Sequence, residues 1–159
     1  MMPKRIMEAG LVLVLMLGLA LPALAVGSSS SSKKPAANSD YSLAVKAVKA
    51  KDFERALTLL GRVVGKDPGN ADAWNWIGFS RRNLERYDSA LAAYRKALAI
   101  KPEHRGAIEY LGELYLRTGD LEKAKAELKK LDRICIFGCT EYRQLKSMIE
   151  SYISGKKSG

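Results

Sequence analysis

Apolar and small residues recur along this chain every 34 positions, and Pro68 and Pro102 are separated by the same interval. Three columns of the repeat each keep one kind of side chain: Ala56, Ala90 and Ala124; Phe53, Tyr87 and Leu121; Leu43, Ile77 and Leu111. A fixed period of this length, with two helical patterns in each period, indicates a two-helix unit that has been repeated and stacked.

The spacing of the apolar positions within each period predicts paired helices with short polar breaks between them. The predicted helices lie near 40–50, 53–66, 71–84, 87–100, 105–118 and 121–134. A further helix over 140–153 carries its apolar residues on one side, namely Tyr142, Leu145, Met148, Ile149 and Tyr152. We interpret 137–153 as the capping helix that stacked repeats require at an open end, followed by a flexible basic tail over 154–159.

The central unit carries a distinctive set of residues at fixed spacings: Trp74, Ile77, Gly78, Tyr87, Ala90, Tyr94, Ala97 and Pro102. This pattern resembles the tetratricopeptide repeat. The resemblance covers residues 40–136 in three units, 40–68, 71–102 and 105–136. The first helix of the first unit is less regular, and the third unit has Ile136 where the family has a proline.

The resemblance implies an all-α fold, a right-handed α-solenoid of three helical hairpins plus the C-terminal capping helix. It also implies a binding module, because the family holds segments of other proteins on its concave surface. Residues on the first helix of each repeat would line this groove: Tyr41, Val45, Asn75, Phe79, Arg82, Asn83, Glu109, Glu113 and Arg117. The groove would run from apolar to acidic and would suit an extended or helical segment that is apolar at one end and basic at the other.

Phe79 is the most informative member of this set. As an exposed aromatic among polar neighbours it would be an anchor for a partner, whereas the alternative is that it packs between adjacent repeats. Some members of the family clamp a partner's terminal carboxylate with lysine and asparagine. Tyr41 and Val45 occupy the first two positions of that clamp here, so binding of chaperone tails is not implied.

The first 25 residues have the pattern of a secretory signal peptide. Lys4 and Arg5 precede an apolar run over 11–21, and Ala23 and Ala25 form a small-x-small cleavage site. The run is shorter than the roughly 20 apolar residues of a spanning helix, so we expect cleavage after Ala25 and no permanent membrane anchor. Residues 26–39 are rich in serine and are predicted to be a disordered linker, and the mature protein is predicted to be periplasmic or secreted.

The chain has 27 basic and 17 acidic residues, a formal charge of +10. Loss of 1–25 would remove Lys4, Arg5 and Glu8 and leave +9. A nucleic-acid binder would gather its cations on one face beside a reading motif, and no such motif is present. We therefore interpret the excess as a solvated basic surface and expect no nucleic-acid partner.

The sequence offers few groups for catalysis. Its one histidine, His104, is predicted to be an exposed turn residue, and the chain has no phosphate-binding glycine loop and no His-x-x-x-His motif. Glu109 and Glu113 lie four apart on one helix and are interpreted as a solvated acidic face rather than a pair that shares a proton or a metal ion. We expect no enzymatic activity and no cofactor.

Cys135 and Cys139 stand where the third unit departs from the family's proline. In an exported chain they favour a disulfide that fixes the joint before the capping helix, with Gly138 giving the ring its backbone freedom. One competing interpretation joins them with His104 as ligands of copper or zinc, and another makes them a redox-active dithiol.

Two functional hypotheses follow from these patterns. The first is a non-catalytic adaptor or scaffold in the bacterial cell envelope that binds a protein segment in the concave groove. The alternative is a periplasmic protein that handles thiols or metal ions through Cys135 and Cys139. The sequence specifies neither the partner nor the oligomeric state.

Overall fold

The computed structural model of the protein describes residues 36–157, and the helices account for most of this part of the chain. They are α1 (Ala36–Lys49), α2 (Phe53–Lys66), α3 (Ala71–Asn83), α4 (Tyr87–Ile100), α5 (Arg105–Arg117), α6 (Leu121–Ile134) and α7 (Thr140–Lys157). The predicted all-α fold and its order of helices are confirmed. The predicted signal peptide and the linker up to residue 35 lie outside the described residues.

Two predicted boundaries are wrong. Helix α1 begins at Ala36 rather than at 40, so the linker does not extend to residue 39. Its first turns are stabilised from the next helix, because Arg62 donates to Asp40 at 3.0 Å and Lys66 lies 3.5 Å from the same carboxylate. Helix α7 continues to Lys157, and the predicted flexible tail is therefore helical over 154–157.

Polar side chains cap four of the five helices from α2 to α6 by accepting hydrogen bonds from backbone N–H groups of the first turn. Asn70 accepts from the N–H of Ala73 at 2.9 Å, and 34 residues later the Nδ1 atom of His104 accepts from Ala107 at 3.2 Å. The Nε2 atom of His104 also lies 2.9 Å from the carboxylate of Asp72 on α3. His104 is therefore not the exposed turn residue that the sequence predicted, but a helix cap held against the preceding repeat.

Two glycines mark places where helices approach closely, α3 against α4 and α5 against α7. A Cβ atom at Gly78 would lie 2.5 Å from Cε1 of Tyr94, and one at Gly112 would lie 2.5 Å from Cδ2 of Leu145. Ala90 on α4 is fully buried in the cluster that contains Tyr94, Leu111 and Leu114. These close approaches leave no space for an added methyl group in a core that is packed as densely as an organic crystal.

The first helices of the repeats form a continuous inner row with the cap. Helix α1 contacts α3, α3 contacts α5, and α5 contacts α7. Within residues 36–157, no pair among α2, α4 and α6 makes such a contact. The stack therefore curves toward the inner row of α1, α3, α5 and α7, which forms its concave side. This is the surface on which the sequence predicted a groove.

The capping helix closes the end of the stack as predicted. Leu145 and Ile149 are buried against α5 and α6, while Tyr142, Met148 and Tyr152 pack at the edge of the same core. Among the described residues, every helix is too short or too polar to cross a membrane.

Replacing Gly78 by alanine tests this packing. The new methyl group would clash with the buried ring of Tyr94, and we expect the free energy of unfolding to fall by about 1–3 kcal/mol. Gly61→Ala is the matched control, because Gly61 lies on α2 with no atom within 4 Å of its missing Cβ. That change should raise the free energy of unfolding by about 0.5–1 kcal/mol. Equal effects of the two substitutions in urea unfolding would contradict the close crossing.

Candidate functional site

An aromatic cluster joins the inner faces of the three repeats. The ring of Phe79 lies 6.1 Å from Phe53, 5.5 Å from Trp76 and 5.0 Å from Tyr110, measured between ring centroids. Phe79 is only partly exposed and belongs to the core of the stack. The prediction that Phe79 is an exposed aromatic among polar neighbours is therefore wrong. It packs between adjacent repeats because α5 lies against α3.

Arg82 is buried beside this cluster, with 3% of its side chain exposed. Its guanidinium carbon lies 5.3 Å from the ring centroid of Phe79 and 5.5 Å from that of Tyr110, within the range of cation–π attraction. One guanidinium nitrogen forms an ion pair with the carboxylate of Glu113 on α5. Arg82 is thus a buried connection between two repeats rather than a side chain that lines an open groove.

The burial of Arg82 follows from its place in the repeat. The residues 34 positions before and after it are Val48 and Leu116, which are both buried. An arginine in an otherwise apolar column is expected to face the interior and to need a carboxylate there. This column was the sequence signal that would have placed Arg82 inside the stack.

The other predicted groove residues differ in how accessible they are. Asn75 is buried, whereas Tyr41 and Val45 are half-buried at the α1 end of the row. The hydroxyl of Tyr41 accepts a hydrogen bond from the indole of Trp76 at 3.1 Å. Asn83 donates to the backbone oxygen of Phe79 at 2.8 Å.

At the other end of the row, Arg117 is exposed. Like Arg82, Asn75 cannot be a freely accessible groove residue, because the next repeat covers both.

Glu109 is the most unusual side chain of the inner row. It is 5% exposed and accepts no hydrogen bond within the described residues. Burial raises the pKa of Glu109 to about 7, with a smaller contribution from the negative charges of Glu113 and Glu141, which Arg82 partly offsets. The prediction that Glu109 and Glu113 form a solvated acidic face is therefore wrong. Glu113 is paired with Arg82, and Glu109 is a buried carboxyl group without a partner.

A cavity of about 430 Å³ opens beside these two glutamates, between α5 and α7. Helix α7 supplies the rest of its lining: Thr140, Arg143, Gln144, Ser147 and Met148. Sequence reasoning treated α7 only as a cap and did not place these residues at the groove. The signal was present in the polar residues Thr140, Gln144 and Ser147, whose spacing of four and three puts them on one helical face.

The inner row is therefore asymmetric. Its α1 end presents half-buried apolar and aromatic groups, and its α5–α7 end presents a cavity with a buried carboxyl group. A cation that enters this cavity would lower the pKa of Glu109 and gain a charge-assisted hydrogen bond in a site that is partly shielded from water.

The repeat pattern is shared with known proteins. Profiles described as tetratricopeptide repeat match residues 41–104 and residues 84–149. Together these two segments span most of the described helices, with the 34-residue columns and the Gly78–Tyr94 crossing inside them. The chain belongs to the tetratricopeptide repeat family.

Similarity to individual proteins covers part of the chain. Tetratricopeptide repeat protein 37 of Xenopus laevis is 39% identical over 69 residues, which are 43% of this chain and 4% of that protein. The chain thus spans only a small part of this relative's length.

Solved structures show the same tetratricopeptide fold. The Sgt2 TPR domain from Aspergillus fumigatus has a TM-score of 0.69 and 16% identity, covering 79% of this chain and 84% of that one. The type III secretion chaperone SycD of Yersinia enterocolitica, solved with a peptide of the translocator YopD, has a TM-score of 0.66 and 18% identity, covering 80% and 96%.

The third tetratricopeptide repeat ends in a small ring. The Cα atoms of Cys135 and Cys139 are 5.5 Å apart, a separation that suits a disulfide, and the structure joins their sulfur atoms. Gly138 has a positive φ of 72°, and its N–H donates to the backbone oxygen of Cys135 at 2.9 Å. Among residues 36–157, no group of three or more histidine, cysteine, aspartate or glutamate side chains could hold a metal ion.

Glu109→Gln tests the buried carboxyl group. The folded chain holds this proton more tightly than the unfolded chain, so the free energy of unfolding should fall as the pH rises from 4.5 toward about 7. Above that range the substitution should raise the free energy of unfolding by on the order of 1–3 kcal/mol, because the cost of burying the charge is removed.

The measurement is urea unfolding across this pH range, where the gain should disappear as the pH approaches the unfolded value of 4.5. Glu150→Gln, at an exposed position of α7, is the matched control and should have no comparable pH dependence. A gain in stability that is the same at every pH would mean that Glu109 does not titrate near neutrality.

Proposed function

We propose that this chain is a non-catalytic adaptor of the bacterial cell envelope that binds a segment of a partner protein along the inner row of α1, α3, α5 and α7. The observation that carries the proposal is the unpartnered, buried carboxyl group of Glu109 at a cavity of about 430 Å³ in that row. The SycD structure, which has the same fold, contains a peptide of the translocator YopD.

The side chains of the inner row indicate which residues the bound segment would carry. Its apolar residues would lie near Tyr41 and Val45, and a lysine or arginine would enter the cavity between α5 and α7. Arg82 already neutralises Glu113, so Glu109 is the carboxylate that remains for a ligand. A cation placed there stabilises the ionised form of Glu109 and offsets the cost of its burial.

Arg143 is a cation at the mouth of the same cavity, and its position is compatible with this proposal. Its guanidinium donates to the backbone oxygen of Gly138 and to the hydroxyl of Thr140, both at 3.3 Å. These bonds direct the group toward the α6–α7 loop. Within residues 36–157, Arg143 forms no ion pair with Glu109.

Location in the envelope rests on the N-terminal pattern and on the cysteines. An apolar run followed by an Ala-x-Ala site is typical of export, and a disulfide between Cys135 and Cys139 would persist in an oxidising compartment. We propose that the mature protein is periplasmic or secreted and that its disulfide stabilises the joint between the third repeat and the cap.

Site-specific photo-cross-linking in native cells tests the groove. A photoreactive residue at Ser147, which lines the cavity, should give a discrete product whose cross-linked peptide contains lysine or arginine near apolar residues. The matched control is the same photoreactive residue at Ala126, an exposed position on the outer helix α6. Glu109→Gln should lower the yield at Ser147 several-fold, because it removes the charge that the cation recognises.

Identical products from Ser147 and Ala126, or none from Ser147, would contradict binding at the inner row. Each labelled chain is first shown by circular dichroism to keep its helical content and its thermal midpoint. If Glu109→Gln does not change the yield at Ser147, binding at the inner row would stand, but the prediction that the segment carries a basic residue would be wrong.

Export is tested separately on protein recovered from the envelope. We expect N-terminal sequencing to begin at Val26, and both cysteines to resist alkylation until a reductant is added. Replacing both cysteines by serine should lower the free energy of unfolding by about 2 kcal/mol or less, because the closed loop is short. A retained Met1 or two freely alkylated thiols would contradict export with a structural disulfide.

A further inference from the structure

The loop between α6 and α7 projects two large apolar side chains away from the protein. Ile136 is 85% exposed and Phe137 is 99% exposed. The other large hydrophobic residues counted as exposed in the described part of the chain, Leu43 at 42% and Ile100 at 36%, are each far less exposed. An aromatic side chain that is 99% exposed next to an exposed isoleucine is not explained by packing within residues 36–157.

The base of this loop is anchored while its tip is exposed. Cys135 is buried, and Cys139 packs against the core that surrounds Leu145. The Cys135–Cys139 bond closes a five-residue ring, and the hydrogen bond from Gly138 to Cys135 spans its turn. The ring limits the conformations of Ile136 and Phe137, so little conformational entropy is left to lose when they are buried.

Positive charge surrounds the exposed tip. Arg105 lines the same shallow concavity as Ile136 and Phe137, and Arg143 donates to the backbone oxygen of Gly138. Arg133 lies in the last turn of α6, two residues before the ring. Within residues 36–157, none of these three arginines forms an ion pair.

Nearby acidic groups do not cancel this charge. The segment 127–146 contains five basic residues against the acidic Glu127, Asp132 and Glu141, a net charge of +2, and Glu127 is paired with Lys130. Glu141 is half-buried and close enough to Glu109 for its charge to help raise the pKa of Glu109. The surroundings of the tip are therefore suited to an anionic surface.

The size of the apolar tip decides between two kinds of surface. A stable interface with another protein buries about 800 Å² on each partner, which two side chains cannot supply. Insertion of a few apolar side chains into a bilayer, together with attraction between cations and anionic lipid headgroups, is sufficient for reversible association. A small apolar tip surrounded by basic residues is therefore better suited to reversible association with an anionic bilayer than to a protein interface.

We propose that Ile136 and Phe137 insert into the headgroup region of an anionic lipid bilayer while Arg105, Arg133 and Arg143 contact the lipid phosphates. The association is peripheral and reversible, and it places the α6–α7 end of the stack at the membrane. Arg143 also lies at the mouth of the partner-binding cavity, but Ile136, Phe137, Arg105 and Arg133 are outside its lining and none of the cavity's glutamates takes part, so the association does not rest on the groove.

The test uses the full-length chain and vesicles of phosphatidylcholine with or without about one third phosphatidylglycerol. The apolar run over 11–21 is present in every variant, so a local reporter is needed. Phe137→Trp adds an indole at the tip, which brominated acyl chains should quench in the anionic vesicles. Leu43→Trp is the matched reporter, because it places an indole at an exposed position on α1 and should remain unquenched.

The same reporter measures the contribution of the arginines. We expect Arg105→Gln with Arg133→Gln, placed in the Phe137→Trp chain, to lower the quenching in the anionic vesicles about fivefold or more. The same two substitutions in the Leu43→Trp chain should leave its indole unquenched. Circular dichroism and thermal unfolding first confirm that each variant is folded.

Equal quenching of the indoles at positions 137 and 43 would overturn the proposal. Quenching that is as strong in pure phosphatidylcholine as in the anionic vesicles would overturn the role of the arginines. Loss of groove cross-linking at Ser147 has no bearing on either result, so the two proposals fail independently.

Discussion

Arg82 is buried where α3, α4 and α5 meet, and its charge must be neutralised there for the repeats to stack. The guanidinium lies over the rings of Phe79 and Tyr110 and forms an ion pair with Glu113 of the next repeat. It also lies close enough to Tyr94 to oppose the increase in that hydroxyl's pKa that burial causes. Removal of the carboxylate would leave a buried cation uncompensated, which is among the costliest single changes in a protein interior.

This ion pair determines the chemistry of the groove. Glu113 is used within the stack, so Glu109, one turn earlier on α5, has no cation of its own. Burial and the nearby Glu113 and Glu141 then raise the pKa of Glu109. A binding segment that supplies a cation would therefore pair with Glu109, the carboxylate that no side chain of the repeats neutralises. The α7 cap lines the cavity in which this pair would form.

The sequence predicted the helices, their order and the small-residue crossing at Gly78, because these depend on periodicity and on contacts inside one hairpin. It failed for Phe79 and Arg82, whose burial depends on the next repeat, and for Glu109, which lies beside the α7 cap. A helix considered alone presents these side chains to solvent, whereas stacking covers them. The apolar neighbours of Arg82 in its column, Val48 and Leu116, carried this information in the sequence.

The cavity and the exposed loop were not predicted for a related reason. Both involve α7 or the segment before it, where the 34-residue columns are no longer kept: Ile136 stands in the column of Pro68 and Pro102. The export signal remains a prediction, since residues 1–25 lie outside the described part of the chain.

The most direct test of this account is the pKa of Glu109 in the folded chain. Selective ¹³C labelling of the glutamate side chains and NMR titration would follow its carboxyl carbon, assigned with Glu109→Gln. The account predicts a midpoint of about 7 for Glu109. A midpoint at the ordinary glutamate value of 4.5 would contradict it, because the carboxyl group would then be hydrated or already paired.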